Sequence, residues 1–107
     1  MRSINSSSQL IVGGLSLNRE TKEFKVDGVP VKLTPTEFKI MELLMSNPGI
    51  VFSAEKIYER VWQEEAHSVE NTVMVHIRRI REKIEINPKE PKYLKVVWGI
   101  GYKIEKC

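Results

Sequence analysis

The stretch NTVMVHIRRIREKIE, residues 71–85, constrains the fold more than any other, because Val73, Ile77, Ile80 and Ile84 recur there at +4, +3 and +4 spacing. At about 3.6 residues per turn this spacing draws one apolar stripe along a helix, which is stable only against other apolar surface. The rest of the chain must supply that surface. At TPTEF, Thr34 is the N-cap of an earlier helix, Pro35 takes the first helical position, where no N–H is needed, and Glu37 closes a capping box. Phe38, Ile40, Met41, Leu43, Leu44 and Met45 make this helix apolar around much of its circumference, as expected of the central core helix, and Asn47-Pro48-Gly49 ends it. Ser53 caps a second helix running to Trp62, with Ile57, Val61 and Tyr58 inward, and Ser68 is predicted to cap the third.

Short β-type runs flank the helices. Leu10–Val12, Leu15–Leu17, Glu23–Val26 and Val29–Lys32 alternate with turn signals, of which Asp27-Gly28 is the strongest, since both central residues of a type I′ turn need positive φ. They predict an N-terminal antiparallel sheet. The third helix must stop before NPKEPK, where two prolines forbid continuation. Two further runs, Leu94–Trp98 and Tyr102–Glu105, joined at Gly99 and Gly101, predict a closing hairpin. Residues 1–9, with the polar INSSS, read as a linker remnant or flexible tail, and 10–107 as one domain.

A chain of 107 residues supports a single modest core. No apolar run approaches the roughly 20 residues that span a bilayer, and the N-terminus lacks the apolar region of a signal peptide, so a cytoplasmic location without membrane contact is expected. The lone Cys107 has no partner for a disulfide or a zinc site. His67 and His76 are isolated, no nucleophile–base or paired-carboxylate pattern is present, and Gly99-Ile100-Gly101 lacks the third glycine and following helix of a phosphate loop. No metal, cofactor or enzymatic activity is predicted.

Charge is unevenly distributed. Residues 34–70 carry seven acidic and three basic side chains, whereas residues 71–107 carry nine basic and four acidic ones. One end of the domain is built to meet anions. On a helical wheel, Asn71, Thr72, Val75, Arg79 and Glu82 lie opposite the isoleucine stripe, with His76, Arg78 and Lys83 on the flanks. Amide, methyl and guanidinium groups are those that read base edges in the major groove of double-stranded DNA, and flanking cations hold phosphates. A helix, a short connection, a basic helix and a glycine-rich hairpin make a winged helix-turn-helix of the α+β class. The alternative is a winged-helix protein-interaction module whose acidic front binds a partner and whose basic helix only solubilises it.

LTPTEFKIMELLMSNPGIVFSAEKIYERVW, VENTVMVHIRRIREKI and VVWGIGYKIE, in that order and spacing, resemble the winged-helix DNA-binding effector domain of OmpR/PhoB-family two-component response regulators. The resemblance implies a four-stranded N-terminal sheet, three helices and a C-terminal hairpin wing, with the third helix, about 69–86, in the major groove and the wing, about 94–105, on the minor groove or backbone. It implies that Arg79 reaches into the groove beside Asn71, Thr72, Val75 and His76, that Arg78, Arg81 and Lys83 lie near phosphates, and that Lys95 and Trp98 contribute from the wing. Arg81 falls nearest the core side of the wheel, so an intramolecular partner is its other reading. Two departures stand out: Trp98 replaces an arginine that some members insert in the minor groove, so that Trp98 either packs on the hairpin or touches the sugar-phosphate backbone, and Ala54 follows Ser53 where the family often has arginine. The resemblance further implies contact with RNA polymerase through the loop of Glu64, Glu65 and His67. It implies too a cognate sensor kinase acting through a receiver domain not found in this chain, and a monomer that binds direct-repeat half-sites as a head-to-tail dimer.

Overall fold

A computed structural model of the chain describes residues 8–106. The first seven residues of the expected linker, and Cys107, lie outside the described residues. Four short strands, β1 (Gln9–Val12), β2 (Leu15–Asn18), β3 (Phe24–Val26) and β4 (Val29–Pro30), form an antiparallel sheet in the order β1-β2-β3-β4. Asp27 and Gly28 both take positive φ, 50° and 83°, as a type I′ hairpin turn requires. The sheet begins one residue before the expected boundary, at Gln9, because the Ser8 carbonyl accepts the Arg19 N–H at 2.7 Å and extends the β1–β2 pairing. Its last strand ends at Pro30, short of the expected Lys32, with one further backbone bond from the Val31 N–H to the Phe24 carbonyl at 2.8 Å.

Helix α1 (Pro35–Met45) starts as its sequence dictates: Thr34 Oγ1 accepts the Glu37 N–H and the Glu37 carboxylate accepts the Thr34 N–H at 2.9 Å. Phe38, Ile40, Met41, Leu44 and Met45 are buried, and α1 packs against the sheet and both other helices. Helix α2 (Ala54–Trp62) is capped by Ser53 and closes on Gln63, which takes the left-handed conformation at φ 58°. Helix α3 (Glu70–Ile84) buries Val73, Ile77, Ile80 and Ile84, the stripe read from spacing. Ser68, however, is no cap. The cap position is Val69, without a side-chain hydrogen bond, and Ser68 sits at φ 52°, turning the chain so that Val69 enters the core.

The closing hairpin consists of β5 (Leu94–Val97) and β6 (Gly101–Ile104). It is fastened to the α1–α2 connection. Phe52 and Tyr102 exchange backbone hydrogen bonds at 2.8 and 2.9 Å, and the Gly49 N–H donates to the Ile104 carbonyl at 2.8 Å. The approach at Phe52 is close enough that a Cβ on Gly101 would lie 2.1 Å from the Phe52 carbonyl oxygen. Three helices, the antiparallel sheet and this hairpin make a winged-helix fold, with α3 and the wing side by side.

Candidate nucleic-acid interface

Helix α3 presents three surfaces besides its buried stripe. Its outer ridge carries Asn71, Thr72, Arg79 and Glu82, all exposed, with Val75 half-buried among them. Arg79 and its neighbour Arg78 make no hydrogen bond or ion pair among the described residues; Glu82, one turn further on, pairs with neither. Two guanidinium groups are thus presented to solvent with every donor available.

The flank toward α2 is occupied differently. The His76 ring meets the Trp62 ring edge to face at 5.2 Å, its Nδ1 lies 2.8 Å from the Thr72 carbonyl, and Trp62 stacks in turn on Tyr58 at 4.7 Å. Lys83 Nζ reaches Glu37 Oε1 at 2.6 Å, pairing with a carboxylate whose side chain is only 2% exposed. Burial raises the Glu37 pKa, but hydrogen bonds from Lys83 and the Thr34 backbone and the Lys83 charge outweigh it, leaving the carboxyl below its ordinary value. Lys83 therefore completes the α1 cap.

The flank toward the wing carries Met74, Arg78 and Arg81 above a groove of about 990 Å³ whose far side includes Lys95, Trp98 and Tyr102. Arg81 does not reach out of this groove. Its Nε donates to the Leu94 carbonyl at 3.0 Å, and one terminal nitrogen is buried without a partner among the described residues. Burial pulls the guanidinium below its ordinary pKa, opposed by the nearby Tyr102 and Glu85, while burial pushes the Tyr102 phenol up. One turn beyond, the buried Glu85 carboxylate accepts the backbone N–H groups of Lys92, Tyr93 and Leu94 at 2.7, 3.0 and 2.8 Å. Arg81 and Glu85 together bind the end of α3 to the first residues of the wing.

At the wing, Lys95 is half-buried and lies directly across from Lys103. Trp98 is 88% exposed at the turn, so it does not pack on the hairpin, one of the two readings its sequence position allowed. In the α2–α3 loop Glu64, Glu65 and His67 are all exposed, with Glu64 accepting the Tyr58 hydroxyl at 3.1 Å and Glu65 2.9 Å from the His67 ring. Ala54 is half-buried at the start of α2. Of the expected site residues, the structure thus aligns Asn71, Thr72, Val75, Arg78 and Arg79 on one outward surface. It ties Arg81, Lys83 and His76 to partners within the chain.

Sequence reasoning passed over Met74, Ile100 and Glu85. Met74 is 40% exposed and lies one turn before Arg78, a relation legible from i, i+4 spacing. Ile100, 63% exposed beside Trp98, carries no sequence signal beyond its place in a glycine-flanked turn. Glu85 has none either, since its partners are backbone amides of an irregular segment.

Comparison with known proteins places this arrangement. The family described as "Transcriptional regulatory protein, C terminal" matches residues 28–104. The regulatory protein VanR of Enterococcus faecium is 44% identical over 98 residues, covering 91% of this chain and 42% of VanR. The response regulator DrrB of Thermotoga maritima, an OmpR/PhoB homolog, superposes with a TM-score of 0.82 at 31% identity over 92% of this chain and 44% of DrrB. The DNA-binding domain of CpxR from E. coli superposes with a TM-score of 0.79 at 28% identity, over 92% of this chain and 96% of that domain. The chain spans less than half the length of VanR and of DrrB.

Proposed function

This chain belongs to the winged-helix C-terminal domain family of OmpR/PhoB-type transcriptional regulatory proteins, and from that premise we propose that it recognises specific sequences in double-stranded DNA through α3. The observation that carries the reading is the pair Arg78 and Arg79, exposed and unpaired, Arg79 on the ridge opposite the isoleucine stripe and Arg78 on its flank toward the wing. Lys83, further along the same helix, is by contrast already held by Glu37. In the major groove, Arg79 reads a guanine edge bidentately, Asn71 and Thr72 supply amide and hydroxyl contacts, and Val75 meets a thymine methyl. Arg78 and Lys95 hold phosphates on the side toward the wing.

The wider reading follows from the family. The domain works in the cytoplasm as the output half of a two-component regulator, whose receiver is phosphorylated by a sensor kinase. Two copies bind head to tail on direct-repeat half-sites spaced by about one helical turn of 10–10.5 bp. The exposed Glu64, Glu65 and His67 meet RNA polymerase. Among the described residues, no helix is long and apolar enough to cross a membrane.

The test is selection from a pool of random duplexes at two salt concentrations. Enrichment of one motif, with affinity falling steeply as salt rises, is the expected outcome. Equal, weak retention of every duplex would remove specific readout and return the protein-interaction alternative to first place.

A further inference from the structure

The groove between α3 and the wing is built unlike the outer ridge. Its walls are apolar: Met74 and Ile77 from α3, Pro88 and Pro91 from the segment that follows, and Val96 and Trp98 from the wing. Set among them are the cations Arg78, Arg81, Lys89 and Lys95, against the single carboxylate of Glu82. Arg81, half-buried, makes the sharpest demand. Its Nε is held by the Leu94 carbonyl, but neither terminal nitrogen has a hydrogen-bond partner among the described residues, and one of them is buried. The Glu85 carboxylate, whose charge Arg81 feels, is already engaged by three backbone N–H groups. A buried donor without an acceptor is destabilising, and a guanidinium fork matches a carboxylate lying in its own plane.

We propose that this groove is a binding site for a small apolar carboxylate, and that its occupation withholds the domain from DNA. The carboxylate supplies Arg81 with the acceptor that the chain does not, and the apolar body lies between Met74, the two prolines and Val96. The groove volume of about 990 Å³ falls at the upper end of the range, about 300–1,000 Å³, of sites that take a small organic ligand. A DNA strand would satisfy only the cations. Its backbone is polar along its length and leaves the apolar walls in water, whereas a small apolar acid answers both features of the lining. The second half of the inference rests on the DNA reading above, because Arg78 and Lys95 line this groove and are the cations assigned there to phosphate.

The probe is cinnamate, with cinnamyl alcohol as its uncharged counterpart, titrated into the isotope-labelled domain and followed by NMR. The amide signals of Met74 and Val96 and the Trp98 indole N–H should shift together and saturate, with the alcohol bound about tenfold more weakly than the acid. Arg81→Lys, which keeps the charge and loses the planar fork, should forfeit most of that advantage. Met74→Glu, at a position 40% exposed on α3 and so outside the core, should remove the advantage and leave binding of the alcohol unchanged. At about ten times its Kd, cinnamate should weaken binding of a duplex obtained by selection about tenfold, as competition requires. Equal binding of acid and alcohol, signals that drift without saturating, or an advantage that persists in both variants overturns the site. A duplex held as tightly with cinnamate present overturns the exclusion of DNA alone. Selection that enriches no duplex overturns the DNA reading, while the cinnamate titration still decides the site.

Discussion

Arg78 and Arg79 on the middle of α3 reach solvent without a partner, whereas Arg81 and Lys83, only a few residues on, end on the Leu94 carbonyl and the Glu37 carboxylate. The same residue types, in one basic run, serve two ends. The outer ridge offers its donors to a ligand. The last turns anchor α3 to the α1 cap on one side and to the wing on the other. Counting cations along the helix therefore overstates the charge available to phosphates, and the binding and stability of variants should separate along this line.

The largest effect is expected at the anchored end. Glu85 satisfies three backbone N–H groups that join α3 to the wing, and Glu85→Ala leaves them without that acceptor, those of Tyr93 and Leu94 in a buried setting. Unpaired buried donors and the lost charge-assisted bonds should lower stability by about 3 kcal/mol in a urea titration. Amide hydrogens of residues 92–94 should exchange earlier than those of the helices. A loss below about 1 kcal/mol would mean that the bonds from Phe52, Gly49 and Arg81 hold the wing without Glu85.

The ridge should respond in the opposite sense. Arg79→Ala should cost about 1–3 kcal/mol of binding to the selected sequence and relax the preference at one base pair. Unfolding free energy should stay within about 0.5 kcal/mol of the parent, because Arg79 touches nothing that holds the fold together. An equal loss on every sequence would assign Arg79 to phosphate instead of a base.

This division also explains what the sequence could tell. Features whose partners lie within a few residues were legible: the Thr34–Glu37 box, the Asp27-Gly28 turn, and the isoleucine stripe, whose period alone fixes a face. The cap of α3 was not, because Ser68 is a good cap by type, yet the core demands Val69 at that corner. Nor were the partners of the tied cations, since Lys83 finds Glu37 across 46 residues and Arg81 finds a carbonyl 13 residues on. On the wheel Lys83 looks as free as Arg78. Only packing of α3 against the α1 cap separates them.

Lys83→Met tests that separation directly. It should lower stability by about 1 kcal/mol at neutral pH, a modest figure because Lys83 itself is 35% exposed, and leave the salt dependence of DNA binding unchanged. The Glu37 carboxyl titrates below its ordinary value of 4.5, so the stabilisation from its ionised form is complete above that pH and fades as pH falls through the lower folded value. The stability gap between parent and variant should accordingly close below about pH 4.5. A gap that persists in acid would assign the loss to packing of the lysine stem.

Arg78→Gln should produce the smallest change and the most exact one. Each phosphate contact contributes about 0.9 to the slope of log affinity against log salt, whatever the sequence. If Arg78 lies over the phosphate backbone between α3 and the wing, the variant should lose about that much slope, keep the base preference of the parent and unfold at the same urea concentration. The same experiment on Lys83→Met supplies the contrast, because a lysine already paired with Glu37 neutralises no phosphate and so releases no counterion from the DNA. A slope that falls for Lys83→Met and not for Arg78→Gln would invert the assignment, and would mean that the Glu37 pair opens when DNA binds.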